Sequence, residues 1–162
     1  MVHGGEGTAA GSTMTKADQV FEAAQQLAAE TPGFFEKKGP GVGDRASNEF
    51  MHGLRKRVRI VLGGDYSEAP VIPEAGFRFD FYFPDEETVV EVALSLWKPR
   101  CEYEVDILKC ILAQEQGASI RRLVMISKPG ALARQAYPGR SAVAGFVRQK
   151  FGLEVTVREL GQ

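Results

Sequence analysis

The segment from residue 77 to 95 constrains the fold more than any other part of the chain. Residues 77–83 read FRFDFYF, an apolar–polar alternation with the period of two that is typical of a half-buried β-strand. It predicts four phenylalanines on one face of a sheet and the polar residues, Asp80 among them, on the other. Residues 88–95 read TVVEVALS and are mostly β-branched and apolar, which is typical of a central strand. Residues 84–87 (PDEE) predict a hairpin turn between the two strands.

The predicted hairpin brings two acids together. If its turn is symmetric about Asp85 and Glu86, Asp80 faces Glu91, with Cβ atoms about 4.5–5.5 Å apart. Carboxylates so placed repel each other and raise the pKa of one of them, and a buried acid such as Glu91 needs a partner. Mg²⁺ binds to one or two carboxylates plus water and phosphate oxygens, which suits the pair. A structural salt bridge to Arg78 or another cation is the alternative.

The rest of the chain predicts an α/β fold with a mixed sheet flanked by helices. Helices are predicted over residues 15–30, 46–62, 100–116 and 141–151, and strands over 66–72, 77–83, 88–95, 122–127 and 153–160. The apolar stripes Phe50, Leu54, Val58, Val61 and Val105, Leu108, Ile111, Leu112 are expected to face the core. Residues 1–14 are predicted to be a flexible, glycine-rich extension, 37–43 a loop, and 15–162 a single domain.

Composition excludes several classes of protein. Hydrophobic residues make up 44% of the 162 residues and charged residues 25%, as in an ordinary folded domain. No apolar run approaches the roughly 18–20 residues of a membrane span, so no membrane partner is expected. A net charge of −1 leaves only a local patch for nucleic-acid binding. Cys101 and Cys110 lie too far apart on one helix for a disulfide, which predicts reduced thiols and a cytoplasmic location.

The element order and the acids resemble the PD-(D/E)XK nuclease superfamily, which includes many restriction endonucleases. The resemblance covers residues 46–127, with a helix that carries Glu49, a hairpin that carries Asp80 and then Glu91, a crossover helix and a further strand. It implies a restriction endonuclease-like αβββαβ core and a nuclease that acts on DNA rather than RNA. Asp80 and Glu91, assisted by Glu49, are then expected to bind Mg²⁺ or Mn²⁺.

The chain departs from the family motif at one position. The motif is an Asp, a variable gap and then Glu-x-Lys, and Ala93 stands where the family has its lysine. That lysine positions the attacking water and stabilises negative charge on phosphorus. Some members supply the cation from a neighbouring helix, and Lys109 or Lys98 is the candidate here. Alternatively, Lys109 forms only a surface ion pair with Asp106.

A cluster of basic residues adds a candidate nucleic-acid surface. Arg55, Lys56, Arg57 and Arg59 on the second helix, together with Lys98, are expected to contact phosphates if the chain is a nuclease. An ordinary solvated helix surface explains the cluster equally well. Aromatic and basic residues are not interleaved in a way that predicts stacking on single strands.

Two functions follow from the sequence. In the first, the chain is a metal-dependent phosphodiesterase in which Lys109 or Lys98 replaces the motif lysine. In the second, it keeps the fold without the chemistry and serves as a nucleic-acid-binding or assembly subunit. The resemblance implies a homodimer under either hypothesis.

Overall fold

The computed structural model describes residues 13–36 and 43–161. The helices are α1 (Lys16–Glu30), α2 (Gly43–Leu62), α3 (Glu102–Glu115), α4 (Ala131–Gln135) and α5 (Pro138–Phe151). The strands are β1 (Ser67–Ile72), β2 (Phe77–Phe83), β3 (Thr88–Val92), β4 (Arg122–Ser127) and β5 (Glu154–Glu159). The extension predicted over residues 1–14 and the loop over 37–43 lie almost entirely outside the described residues.

The five strands form one mixed sheet in the order β1-β2-β3-β4-β5. The first three strands are antiparallel neighbours, as hairpin connections allow, whereas β3, β4 and β5 run parallel because α3 and α5 carry the chain back across the sheet. The predicted α/β class with a mixed sheet is confirmed. From α2 onward the order is helix, three strands, helix and strand, as the sequence predicts.

Two apolar layers cover the sheet. One layer packs residues of α1 and α2 against the sheet, and the other packs α3, α4 and α5 against the opposite face. The first helix begins with a capping box, in which the side chains of Thr15 and Asp18 each accept from the other residue's backbone N–H. None of the helices in the described residues is long and apolar enough to cross a bilayer.

The alternation of β2 fails at its first half, so the prediction of four phenylalanines on one face is wrong. Phe81 and Phe83 pack in the layer of α1 and α2, but Phe79 packs in the layer of α3 and Phe77 is 40% exposed. The side-chain direction changes next to Asp80, where the pairing of β2 with both neighbouring strands is incomplete. A strand that leaves its ladder is free to rotate its side chains away from strict alternation.

The predicted inner faces of two helices also need correction. On α3, Val105 and Leu108 are exposed, and the buried face consists instead of Tyr103, Ile107, Cys110 and Ala113. On α2, Val61 is exposed, and the inward stripe continues from Val58 to Leu62 instead. In both helices the mispredicted side chains are apolar but lie beside the stripe that faces the core. Apolar residues are common on protein surfaces, so hydrophobicity alone does not identify the inward face.

Two further differences are local. Strand β3 ends at Val92 rather than at residue 95, and the chain continues through turns to residue 99. The short helix α4 was not predicted. Cys101 is exposed, Cys110 is buried and both are free, which confirms the prediction of reduced thiols.

Candidate functional site

The register of the β2–β3 hairpin places the two predicted acids beside each other. The ladder pairs Phe81 with Val90 and Phe83 with Thr88, the symmetric register that the sequence predicts. The backbone N–H of Asp80 points at Glu91 Oε2, 3.4 Å away. The predicted proximity of the two acids is confirmed.

The carboxylates lie where the backbone ladder ends. The N–H of Val92 donates to Asp80 Oδ2 at 2.8 Å, so a side chain takes the place of a ladder bond. On the other side of β2, Glu68 of β1 has no partner in the ladder, and its φ of 53° is unusual for a residue with a side chain. Because the backbone pairing stops here, polar groups are exposed at a position where a regular sheet would pair them.

Glu91 is buried, and its surroundings disfavour its charge. Only 4% of the residue is exposed. Burial first, and then the nearby carboxylates of Asp106 and Asp80, raise the pKa of Glu91 well above its ordinary value. The carboxyl group therefore gains strongly from any cation placed beside it.

The ammonium group of Lys109 is such a cation. Its Nζ lies 2.6 Å from Glu91 Oε1 and 2.8 Å from Asp106 Oδ1, and it donates to the carbonyl oxygen of Arg78 at 3.1 Å. Burial by itself would lower the pKa of Lys109, but the carboxylates of Glu91 and Asp106 outweigh it and raise the pKa. Lys109 is therefore held in its charged form at the acid pair.

Asp106 is a site residue that sequence reasoning treated only as the surface partner of Lys109. The pair does form, but the two side chains are only 12% and 13% exposed and face the sheet. The pKa of Asp106 is raised, chiefly by burial, while Lys109 opposes the shift. The three-residue spacing on α3 was the available signal; the side to which it pointed was not readable from the sequence.

The predicted basic cluster divides into paired and exposed residues. The guanidinium group of Arg55 forms an ion pair with Glu68 and lies 3.6 Å from Asp80 Oδ1, although its buried Nε has no hydrogen-bond partner. Arg57 is paired with Glu30. The remaining two members, Lys56 and Arg59, are exposed on α2.

Three other predicted positions lie apart from the acid pair or contribute no charge to it. Glu49 is exposed, forms an ion pair with Arg45 at 3.0 Å and does not line the cleft described below. The Nζ of Lys98 lies 5.1 Å from the centre of the Trp97 ring. Ala93 is at the edge of the site and offers only a methyl group where the family motif has its lysine.

The acid pair opens into a cleft of about 310 Å³. We call it the carboxylate cleft; its lining includes Asp80, Glu91, Asp106, Ser47, Met51 and Arg100. Across residues 13–36 and 43–161, no group of three or more His, Cys, Asp or Glu side chains is placed to hold a metal ion. A metal ion in the cleft would be coordinated by two carboxylates, and water and a ligand would complete its coordination.

Comparison of the chain with protein-family models, with curated protein sequences and with solved structures finds no significant match.

Proposed function

We propose that the chain is a metal-dependent phosphodiesterase of the PD-(D/E)XK type that acts on nucleic acid, DNA rather than RNA. The observation that carries the proposal is the contact of Lys109 Nζ with Glu91 Oε1 at 2.6 Å, beside Asp80. A helix supplies the cation that Ala93 cannot supply. Two acids that line one open cleft thus have a lysine beside them, which is the set of groups that the superfamily uses.

The order of the elements supports the same proposal. The run α2-β1-β2-β3-α3-β4 follows the αβββαβ order of the superfamily, and the sheet is mixed. In that order the acids belong to the second and third strands and the crossover helix follows them. Lys109 belongs to this crossover helix.

The carboxylate cleft has the electrostatic character that a divalent cation requires. Three carboxylates, those of Asp80, Glu91 and Asp106, lie together with one ammonium group, that of Lys109, which contacts Glu91 and Asp106. The guanidinium group of Arg55 forms an ion pair with Glu68 and lies 3.6 Å from Asp80 Oδ1, so it neutralises the excess negative charge only in part. Burial first, and then repulsion from the neighbouring carboxylates, raises the pKa of Glu91 and of Asp106. Two carboxylates with free positions for water and phosphate suit Mg²⁺, and Mn²⁺ accepts the same ligands.

The residues of the chain then divide the work of phosphodiester hydrolysis. Asp80 and Glu91 would hold the divalent ion, which would supply activation of water and neutralisation of charge on the phosphate. The three N–H groups of Lys109 are engaged by Glu91, Asp106 and the carbonyl oxygen of Arg78, so Lys109 would act through its positive charge, which stabilises the negative charge that develops on phosphorus. Arg55 and Lys98 would contact phosphates that flank the scissile bond.

The decisive experiment is calorimetric titration of Mg²⁺ and of Mn²⁺ into the wild-type chain and into Asp80→Asn. We expect one ion to bind to wild type and at least tenfold weaker binding to the variant. Glu74→Gln, which removes an exposed carboxylate outside the cleft, is the matched control and should bind like wild type. Plasmid and single-strand cleavage assays with the same three proteins then test the activity. Failure of the wild type to bind either metal would refute the proposal.

Ala93 favours a second candidate function, a nuclease-fold subunit that binds nucleic acid or a partner without cutting. In that case Lys109 and Arg55 serve only to neutralise buried acids, as structural ion pairs do. Salt-dependent DNA binding that needs no metal, together with no cleavage, would favour this function. The homodimer implied by the resemblance stays a prediction, which sedimentation equilibrium tests.

A further inference from the structure

We infer that an aromatic pocket beside the carboxylate cleft binds one unstacked nucleobase of the strand whose phosphate occupies the cleft. The inference rests on the proposed function, because it assigns part of the substrate to a second position on the same surface. It goes beyond that function by naming a base-binding site and therefore a preference for unpaired or unstacked nucleic acid.

The pocket is built from segments that are distant in the sequence. We call it the aromatic pocket; it is lined by the turn after α1 with Phe34 and Phe35, by the turns after β3 with Trp97 and Lys98, and by Lys128 after β4. Its volume is about 220 Å³. Pockets for whole small-molecule ligands run to about 300–1,000 Å³, so this one suits a single ring system rather than a whole nucleotide.

The aromatic pocket is continuous with the carboxylate cleft. Ser47, Leu94 and Ser95 line both of them. A strand with a phosphate at Asp80 and Glu91 can therefore reach the aromatic side chains. The sugar and phosphate can stay at the acids while the adjacent base turns into the pocket.

The chemistry of the lining favours a base that is attached to phosphates. Phe35 and Trp97 are partly exposed and offer ring surface, and stacking on such rings is sequence-tolerant because every base has a π-face. Two cations accompany the rings: Lys128 Nζ lies 4.5 Å from the centre of the Phe34 ring and Lys98 Nζ 5.1 Å from that of Trp97. An apolar peptide side chain would need the rings but not the lysines, whereas a nucleotide uses both.

The chain contains a single tryptophan, so Trp97 reports on the pocket without a label. The test titrates a single-stranded pentathymidylate into the wild-type chain, in EDTA and at low salt so that no cleavage occurs. The comparison ligand is a pentamer with the same phosphates and abasic sugars. We expect Trp97 fluorescence to be quenched by pentathymidylate, and affinity by anisotropy to be roughly tenfold weaker for the abasic pentamer.

Two phenylalanine variants test whether the base binds in the aromatic pocket. Phe35→Ala should weaken binding of pentathymidylate about tenfold and leave binding of the abasic pentamer nearly unchanged. Phe146→Ala removes a phenylalanine that is 54% exposed on α5, outside the pocket, and should bind both ligands like wild type. Far-ultraviolet circular dichroism of each variant checks that it is folded.

Equal affinity of the wild type for the two pentamers, or no binding of either, would overturn the inference. The metal titration is a separate measurement, so the two proposals fail independently. Metal-dependent cleavage without a base preference would rule out base binding in the aromatic pocket and support the nuclease. A base preference without metal binding would rule out the nuclease and support a protein that binds single-stranded nucleic acid.

Discussion

The ammonium group of Lys109 joins α3 to the acid pair, and its charge is matched by more than one carboxylate. Glu91 and Asp106 both lie within 2.8 Å of it, while Asp80 is adjacent to Glu91. A lysine that is held by several acids keeps its charge and its direction. Both properties are needed if it is to stabilise a phosphorane-like transition state.

At this residue we predict that Lys109→Gln lowers the rate of DNA cleavage about 10²–10³-fold, the range found when one preorganised donor is removed. Binding of Mg²⁺ should persist, because both carboxylates remain. Lys150→Gln, which removes an exposed ammonium group on α5, is the matched control and should cut like wild type. Cleavage by Lys109→Gln at the wild-type rate would show that Lys109 has no catalytic role.

The buried acids also predict a pH dependence of stability. The ordinary pKa values are 4.5 for Glu91 and 3.8 for Asp106, and both are raised in the folded chain. Between those values and the raised ones, the folded state binds more protons than the unfolded state. The free energy of unfolding contributed by these two groups therefore falls as pH rises through this window.

Asp106→Asn tests this sign directly. The substitution removes one of the two groups and also removes a carboxylate that raises the pKa of Glu91. We expect the free energy of unfolding to fall less steeply with pH than in wild type, measured by urea unfolding from pH 4 to 8 in steps. Glu104→Gln, at an exposed position on the same helix, should keep the wild-type slope. An unchanged slope in Asp106→Asn would contradict the assignment of the raised pKa values.

At the scale of the element, the orientation of α3 decides which of its side chains meet the sheet. The helix buries Tyr103, Ile107 and Cys110, which brings Asp106 and Lys109 to the edge of the same face. The sequence alone favoured a stripe with Val105 and Leu108, which are exposed. Both stripes are apolar, so hydrophobicity could not choose between them; the ion pair with Glu91 belongs only to the observed orientation.

Two matched alanine substitutions test the orientation of α3. Ile107→Ala empties a site that is 2% exposed and should lower the free energy of unfolding by about 2–4 kcal/mol, as for other large-to-small substitutions in cores. Leu108→Ala changes a side chain at a position that is 52% exposed and should change it by less than about 0.5 kcal/mol. Chemical denaturation measures both values. The reverse order would place the predicted stripe in the core after all.

At the scale of the whole molecule, Arg140 ties the C-terminal helix α5 to the turns that follow β3. It is buried, and its guanidinium group donates to the carbonyl oxygens of Leu96 at 2.6 Å, Arg100 at 3.3 Å and Lys98 at 3.4 Å. The group also lies 5.0 Å from the centre of the Tyr103 ring. These contacts hold the segment that forms one wall of the aromatic pocket.

We predict that Arg140→Met lowers the free energy of unfolding by about 2–4 kcal/mol, because it leaves buried carbonyl groups without a donor. Arg148→Met, at an exposed position on the same helix, should cost less than about 0.5 kcal/mol. Urea unfolding gives both values. Equal stability of the two variants would show that the contacts of Arg140 contribute no net free energy.

The sequence by itself determined the hairpin and the order of the elements. The register that pairs Phe81 with Val90 and brings Asp80 to Glu91 follows from a short turn and a central strand, both of which are local in the chain. The contribution of Glu49 could not be judged in the same way, because a helix position gives no direction until the helix is packed.

Only the tertiary structure decided which side chains meet across elements. Lys109 lies 18 residues from Glu91 and reaches it because of the rotation of α3 about its axis. Phe34 and Trp97 line one pocket although they are distant in the sequence. Turn geometry and strand alternation act over a few residues, so they can be read from the sequence. The rotation of a helix and the meeting of distant turns depend on the packing free energy of the whole core, which no local pattern contains.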